Sequence, residues 1–498
     1  MTPPPNPLSS AYSRYALSLL ALANLLSFVN RNIVFALFEP IKRDLHVSDA
    51  QLGWLASSYV LVFALAALPF GVLGDLRSRR GVITGGVLLW SVCTLASGFA
   101  HSFGELLLAR ALVGAGGAAF GAAAQSLAAD YFPSRGRAVA MGILSAGITL
   151  GGVLGIWLGG HLEAAYDWRT ALFAVSLPGF VLASLTVRLR DPVGRPRMVS
   201  LKAALDELEV GLTAVMRHFA PLIIGLVVGG LLAMELDRIS GADSKVDVAV
   251  FGGAVAIGLA FNIRLWVRRL ARAAGPSALV GVFGDLAESL AAVLRTPTLV
   301  YVFLGGALIS FGVNGLVGWA PTFMARELGL RVTDAATLLG TWGLVAGIAG
   351  ALCGGAVADW LRRYTMTGRV LTISIGLLLG APLTVWLLTV RDLAVFVPVF
   401  CAAFFFISWY NGPIAAVIFD VVPARITATV AGAYLCFIHL VGDTVAFPLV
   451  GALSDRFGLD RAVLVLPGVA LAGGLVLLGA TRTVARDMAR VTAEPLVI

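Results

Sequence analysis

Long apolar stretches follow one another through almost the whole chain, each close to the roughly twenty residues that cross a bilayer as a helix. They confine the fold to an all-α polytopic membrane protein. In the first half they run at about Tyr15–Leu37, Gln51–Leu73, Val82–Phe99, Gly104–Leu127, Ala138–Leu162 and Thr170–Val187. In the second they run near Leu299–Phe323, Ala335–Ala358, Val370–Val390, Ala394–Phe419, Thr427–Leu453 and Ala462–Ala480. Ser48 and Asp49 read as a helix start ahead of the second stretch. The first stretch is too long for a signal peptide and carries Arg31 within it, so it is expected to stay as a helix.

Composition agrees: 59% apolar residues, 13% charged and 57 glycines lie far from a soluble average. The net charge of +8 does not mark a nucleic-acid binder, because the basic residues fall in short loops. Cys93, Cys353, Cys401 and Cys436 all lie inside apolar stretches and read as small core residues. The sequence has no Walker loop, no metal-ligand cluster and no nucleophile beside a base. An enzyme is therefore not expected, and neither a catalytic residue, a metal nor a cofactor is assigned.

Orientation comes from Gly71 to Gly81, GVLGDLRSRRG, an acid and three arginines packed between two apolar stretches. Such a loop belongs on the positive-inside face, which places both termini in the cytoplasm. Gly355 and Asp359 of GGAVADWLRR repeat the spacing of Gly71 and Asp75. The repeat is general: SFVNR at Ser27–Arg31 matches SFGVNG at Ser310–Gly315, Ser48-Asp49-Ala50 matches Thr333-Asp334-Ala335, and Asp130 and Pro133 match Asp420 and Pro423, at separations between about 283 and 290 residues. Parallel halves of this kind imply a pseudo-two-fold axis along the membrane normal with a substrate site between them, and therefore transport.

Gly71, Asp75, Arg79 and Arg80 resemble the signature loop between the second and third helices of the major facilitator superfamily, with Leu76 where that family usually has arginine. The resemblance implies two six-helix bundles, a glycine that admits close helix approach, and a charge lock formed by the aspartate and arginines. On this plan residues 1–189 form the first bundle and residues 298–498 the second bundle and tail. Residues 190–297 form a cytoplasmic linker with an amphipathic helix near Leu201–Met216 and an inserted membrane hairpin at about 221–266, split by the polar loop Asp237–Lys245. The hairpin brings the expected count to about fourteen spans.

Polar residues inside the spans are the candidates for function. Asn30 and Arg31 lie within the first, and Arg110 lies about two turns into the fourth. An arginine at such depth normally faces a partner or a wet cavity. Arg110 opens RALVGAGGAAFG, whose Gly114, Gly117 and Gly121 are expected to admit tight packing. Asn314 is the repeat mate of Asn30, and Tyr410 and Asn411, ahead of Pro413, interrupt the tenth span as hydrogen-bonding candidates. For either asparagine a structural bond between helices is the alternative. His439 and Asp443 are four apart and share a helix face, where each shifts the other's proton affinity, making them proton-coupling candidates.

HLVGDTVAFPLVGALSD, SFVNR, WAPTFMARELG and RALVGAGG resemble the Spinster branch of the superfamily. That resemblance implies an exporter of lysophospholipid-like or sphingosine-phosphate-like molecules, with Arg31, Arg110, His439 and Asp443 around the ligand. Two departures stand out. Asn30 and Gly117 occupy positions where the branch tends to have acids, which predicts a more electropositive first half and weakens any inherited proton coupling. The expected protein is a secondary active or facilitative transporter for an amphipathic anion, a monomer in a bacterial inner (plasma) membrane. A carrier for small organic anions or drugs of the same superfamily is the alternative.

Overall fold

The computed structural model describes residues 10–76, 79–132, 134–190, 292–423 and 426–493, with short helical pieces between 220 and 265. Every regular element among them is helical. Twelve helices are long and apolar enough to cross a membrane. Those of the first half are α1 (Ser10–Ala36), α2 (Asp49–Leu76), α3 (Arg79–Gly98), α4 (Phe103–Tyr131), α5 (Ser134–Ala165) and α6 (Trp168–Thr186). Those of the second are α7 (Pro297–Glu327), α8 (Val332–Arg362), α9 (Gly368–Thr389), α10 (Leu393–Val421), α11 (Thr429–Phe457) and α12 (Leu459–Arg482).

Helix starts are set by local side-chain chemistry. Ser48 and Gln51 cap α2 reciprocally, with the Gln51 amide donating to Ser48 Oγ at 3.3 Å and the Ser48 amide to Gln51 Oε1 at 2.8 Å. Ser102 begins α4 by accepting from the Glu105 amide, Asp167 begins α6 by accepting from Thr170, and Asp392 begins α10 by accepting from Ala394. Each satisfies a helix-terminal N–H that lipid or a neighbouring helix could not.

Within the first half α1 packs along α5, α2 along α4, and α3 against both α4 and α6. The second half repeats the scheme, with α7 on α11 and α12, α8 on α10, and α9 on α10 and α12. Shape, not solvent exclusion, drives such contacts between membrane helices, so small residues mark the crossings. A Cβ built on Gly155 would meet the Val29 carbonyl at 2.6 Å and Val29 Cα at 3.0 Å, which makes that α1–α5 crossing a backbone contact.

Two spans of the second half carry π-helical turns, Leu339–Gly343 in α8 and Ile438–Asp443 in α11. In α10 the chain tightens to a 3₁₀ turn at Ser408–Tyr410. Pro413 has no N–H for the Trp409 carbonyl, which accounts for the break at this place. A short terminal helix, α13 (Val484–Ala493), packs on the bundle. Its Asp487, 2% exposed, accepts from the Thr298 amide at 3.1 Å and Thr298 Oγ1 at 2.7 Å, supplying α7 with the cap its own sequence lacks.

Of the insertion only short pieces are described. Gly225 lies against the second apolar run, where a Cβ would meet the Ala254 carbonyl at 2.5 Å and Gly258 Cα at 3.2 Å, so the two runs touch as hairpin arms would. The described residues carry twelve spans, and the two further spans expected of the hairpin fall largely outside them. The expected amphipathic helix near Leu201–Met216 and the loop Asp237–Lys245 lie outside them.

Candidate functional site

In the first bundle the site begins from spacing on α4. Arg110, Gly114 and Gly117 fall on one face, at i, i+4 and i+7. Arg110 is fully buried, and its Nη2 donates to the Asn30 carbonyl at 2.9 Å and the Arg31 carbonyl at 3.3 Å. Its Nε and Nη1 have no hydrogen-bond partner among the described residues, and no carboxylate there pairs with it. The sequence therefore assigned Asn30, Arg31 and Arg110 to one place, and the fold brings them together.

Asn30 acts mainly through its backbone. Its side-chain amide donates to Leu26 of the same helix at 2.9 Å, and its Oδ1, also buried, has no partner among the described residues. The Arg31 guanidinium lies over the rings of Phe28 and Tyr59, at 5.8 Å from each centroid. Tyr59 was not singled out by the sequence, although Arg110 also lies over it at 5.7 Å.

In the second bundle the π-helical turn of α11 carries His439 and Asp443 in contact, Nδ1 to Oδ2 at 2.7 Å. Asp443 is fully buried, and its other oxygen accepts from Ser310 Oγ at 2.5 Å and Asn314 Nδ2 at 2.9 Å, both on α7. Asn314 also donates to Ser310 Oγ at 3.0 Å. Burial of a carboxyl demands such partners; Ser310 and Asn314 are placed by the α7–α11 crossing and His439 by the α11 turn itself. Chemically the group can hold a proton shared between imidazole and carboxylate. Ser310 sat in the quoted SFGVNG, and its spacing of four before Asn314 was the unread signal.

Tyr410 belongs near this group, packed against the bundle core and within electrostatic reach of Asp443. Asn411 is brought to a different environment. Its side chain is exposed and donates to the Ser408 carbonyl at 3.2 Å, closing the helix break ahead of Pro413.

Ion pairs stand at the helix ends. Arg79, the first residue of α3, pairs with Asp130 near the end of α4, and Arg80 donates to the Leu189 carbonyl at 3.3 Å. In the second bundle Arg369 pairs with Asp420 at 2.5 Å and with Asp359 at 3.3 Å. The surroundings of Gly71 and the side chain of Asp75 lie outside the described residues. Gly355 departs from expectation, because nothing lies within 4 Å of where its Cβ would stand; the same is true of Gly121. Neither marks a close helix crossing among the described residues. No group of three or more His, Cys, Asp or Glu able to hold a metal occurs among the described residues.

Comparison with known proteins decides the family. The Major Facilitator Superfamily pattern matches residues 20–442. The chain belongs to the major facilitator superfamily. Protein spinster homolog 1 of Bos taurus is 26% identical over 471 residues, covering 91% of this chain and 75% of that protein. The sphingosine-1-phosphate transporter SPNS2 of Xenopus tropicalis is 21% identical over 494 residues, covering 93% and 80%. The crystal structure of a bacterial homologue of the human lysosomal transporter Spinster, inward-facing and unoccupied, matches with a TM-score of 0.72 at 21% identity, over 96% of this chain and 99% of that one. This chain is thus an integral membrane transporter of that superfamily, similar to Spinster proteins, and not an enzyme.

Proposed function

We propose that this transporter moves an amphipathic anion, of the lysophospholipid type, across the membrane by alternating access. One observation carries the proposal. Arg110 is fully buried with two guanidinium nitrogens, Nε and Nη1, unpartnered and no carboxylate among the described residues to neutralise it. A buried guanidinium without a counter-charge is costly, and an anionic headgroup offers both the charge and the acceptor geometry it lacks. Arg110, Arg31 and the free oxygen of Asn30 then form the headgroup end of the site. The Xenopus relative, named as a sphingosine-1-phosphate transporter, supports a phosphate-bearing single-chain ligand.

His439, Asp443, Asn314 and Tyr410 form the second polar group, with His439 and Asp443 as its proton-carrying pair. The loop bearing Arg79 and Arg80 lies on the cytoplasmic side, as do both termini. A monomer in a bacterial inner membrane, with an inserted hairpin at about 221–266, completes the proposal.

The test is uptake of tritiated lysophosphatidylglycerol into proteoliposomes, with gluconate as a short-chain comparator. Saturable lipid uptake is expected, and Arg110→Ala should reduce it by about ten- to a hundredfold, the worth of one or two charge-assisted bonds. Uptake of gluconate alone would replace the lipid assignment with a small-anion carrier. Arg110→Ala uptake equal to wild type would overturn the headgroup site.

A further inference from the structure

A buried donor and a buried acceptor in one place ordinarily bond each other, because either one left alone forfeits the hydrogen bond it made with water. At the contact of α1 with α4 this does not happen. Arg110 Nη2 reaches the Asn30 carbonyl at 2.9 Å, so the two residues touch, and they are 0% and 1% exposed. Arg110 nonetheless keeps Nε and Nη1 without a hydrogen-bond partner among the described residues, and Asn30 keeps Oδ1 without one. Complementary groups thus stand side by side with neither satisfying the other.

The α1 helix fixes which end of the Asn30 amide is left over. Nδ2 donates to the Leu26 carbonyl one turn back at 2.9 Å, and a carbonyl only accepts, so a rotated amide would set two acceptors against each other. The remaining atom is therefore the oxygen. Neighbouring hydroxyls do not supply it, since those of Ser27 and Tyr59 bond one another. They do so against Gly117 of α4, where a Cβ would meet the Tyr59 hydroxyl at 2.8 Å and Ser27 Oγ at 3.6 Å.

We infer that Asn30 is a specificity-determining residue of the anion site, its Oδ1 accepting a hydrogen bond from a hydroxyl or amine that the ligand carries close to its phosphate. The inference rests on the proposed headgroup role of Arg110. A phosphodiester group has acceptors only, so by itself it satisfies the guanidinium and leaves Oδ1 buried and unbonded. A headgroup with a donor on the adjacent carbons meets both demands: its phosphate oxygens take Nε and Nη1, and its donor takes Oδ1. The ligand class is therefore a phosphodiester with a free hydroxyl or amine, as in glycerol and ethanolamine headgroups, and an alkyl-capped phosphate is disfavoured. An amide serves here better than a carboxylate, because it accepts a hydrogen bond without bringing a negative charge to pair with Arg110 and compete with the ligand.

The experiment is equilibrium binding to the purified full chain of two tritiated phosphodiesters, hexadecyl 2-hydroxyethyl phosphate and hexadecyl propyl phosphate. They have equal charge and nearly equal size, and differ by a hydroxyl in place of a methyl group. Wild type should prefer the hydroxyl ligand by about tenfold, the effect of leaving one buried acceptor unpaired. Asn30→Leu removes the acceptor at similar volume and should bring the ratio of affinities to about one. Asn30→Asp keeps an acceptor, so the preference should survive while both ligands bind more weakly. A merely structural role for Asn30 would weaken both ligands alike and leave the ratio where it was. Equal binding of the two ligands by wild type would show that water satisfies Oδ1 and overturn the inference; so would a preference that persists in Asn30→Leu. Should Asn30→Leu fail to fold, Asn30→Ala takes its place with the same expected ratio. Arg110→Ala in the same assay separates the two readings. Binding retained there at wild-type strength overturns the headgroup site itself, whereas lost binding beside equal wild-type affinities overturns only the role of Asn30.

Discussion

Arg369 Nη1 meets Asp420 Oδ2 at 2.5 Å, tying the start of α9 to the end of α10, and Arg79 meets Asp130 at the same place in the first bundle. Both members of each pair are separated from their counterparts by 290 positions. In the second bundle Arg369 also reaches Asp359 at 3.3 Å, on the last turns of α8. Asp359 is exposed and Asp420 is mostly buried, so the Asp420 arm should carry the greater share of the energy. Asp420→Asn is expected to slow uptake and lower the thermal midpoint, with a loss on the order of 1–3 kcal/mol. Asp359→Asn should cost well under about 1 kcal/mol. Thermal unfolding of the purified variants checks the ranking, and equal losses would show that exposure does not govern this network.

The Asp443 cluster makes a different demand. Its carboxyl is bonded by Ser310, Asn314 and His439, so removing a neighbour and removing the acid have separable effects. Asp443→Asn should abolish any response of uptake to an imposed pH gradient while leaving exchange of substrate between the two sides. Ser310→Ala removes one donor and should retain the gradient response with a reduced rate. Proteoliposome uptake and counterflow with and without a gradient measure both. A gradient response that survives Asp443→Asn would move proton coupling elsewhere in the chain.

Much of this architecture was legible because lipid imposes length and polarity rules that sequence reports directly. All twelve membrane-length helices fall where apolar runs predict them, and Asn30, Arg31 and Arg110 converge because an arginine at depth must be accommodated. What escaped has a common physical origin, since it depends on which faces meet across helices. Tyr59 is an ordinary aromatic in an apolar span until α4 is laid against it. Gly114 and Gly121 look alike in sequence, but only the first faces a backbone. Asp487, far along the chain, caps a helix whose own first residues give no sign of a distant partner.

That distinction among glycines can be tested without any transport assay. Gly155→Ala puts a methyl group 2.6 Å from the Val29 carbonyl, a contact that neither backbone can relieve without separating α1 from α5. Gly121→Ala adds the same group to open space. The first should lower the thermal midpoint and the yield of monodisperse protein by an amount typical of an overpacked core, roughly 1–3 kcal/mol. The second should be neutral or slightly stabilising, because alanine favours the helix by about 1 kcal/mol over glycine. A destabilised Gly121→Ala would mean that a surface not described within this bundle covers that glycine.

The pair of Asp44 and Arg169 offers a test governed by pH. Asp44 lies in the short helix Phe38–Leu45, outside the spans, and accepts from Arg169 and, at 3.2 Å, from Trp168 Nε1. The hydrogen bond from Arg169 holds its carboxyl below the usual range, with the Arg169 charge and Trp168 adding to the effect and burial opposing it. A carboxyl depressed in the folded state contributes stability that is fully present above its unfolded pKa, near about 3.9, and is lost as pH falls through the folded value. Asp44→Asn should therefore lower the thermal midpoint slightly at pH 7, and the gap to wild type should close as the pH is taken below about 3.9. The pair is solvent-exposed, so the whole contribution stays within about 1 kcal/mol. Thermal scans of both proteins at pH 7, 5 and 3, each referenced to the wild type at that pH, measure it. A gap of constant size down to pH 3 would assign the effect to side-chain shape and not to the charge of Asp44.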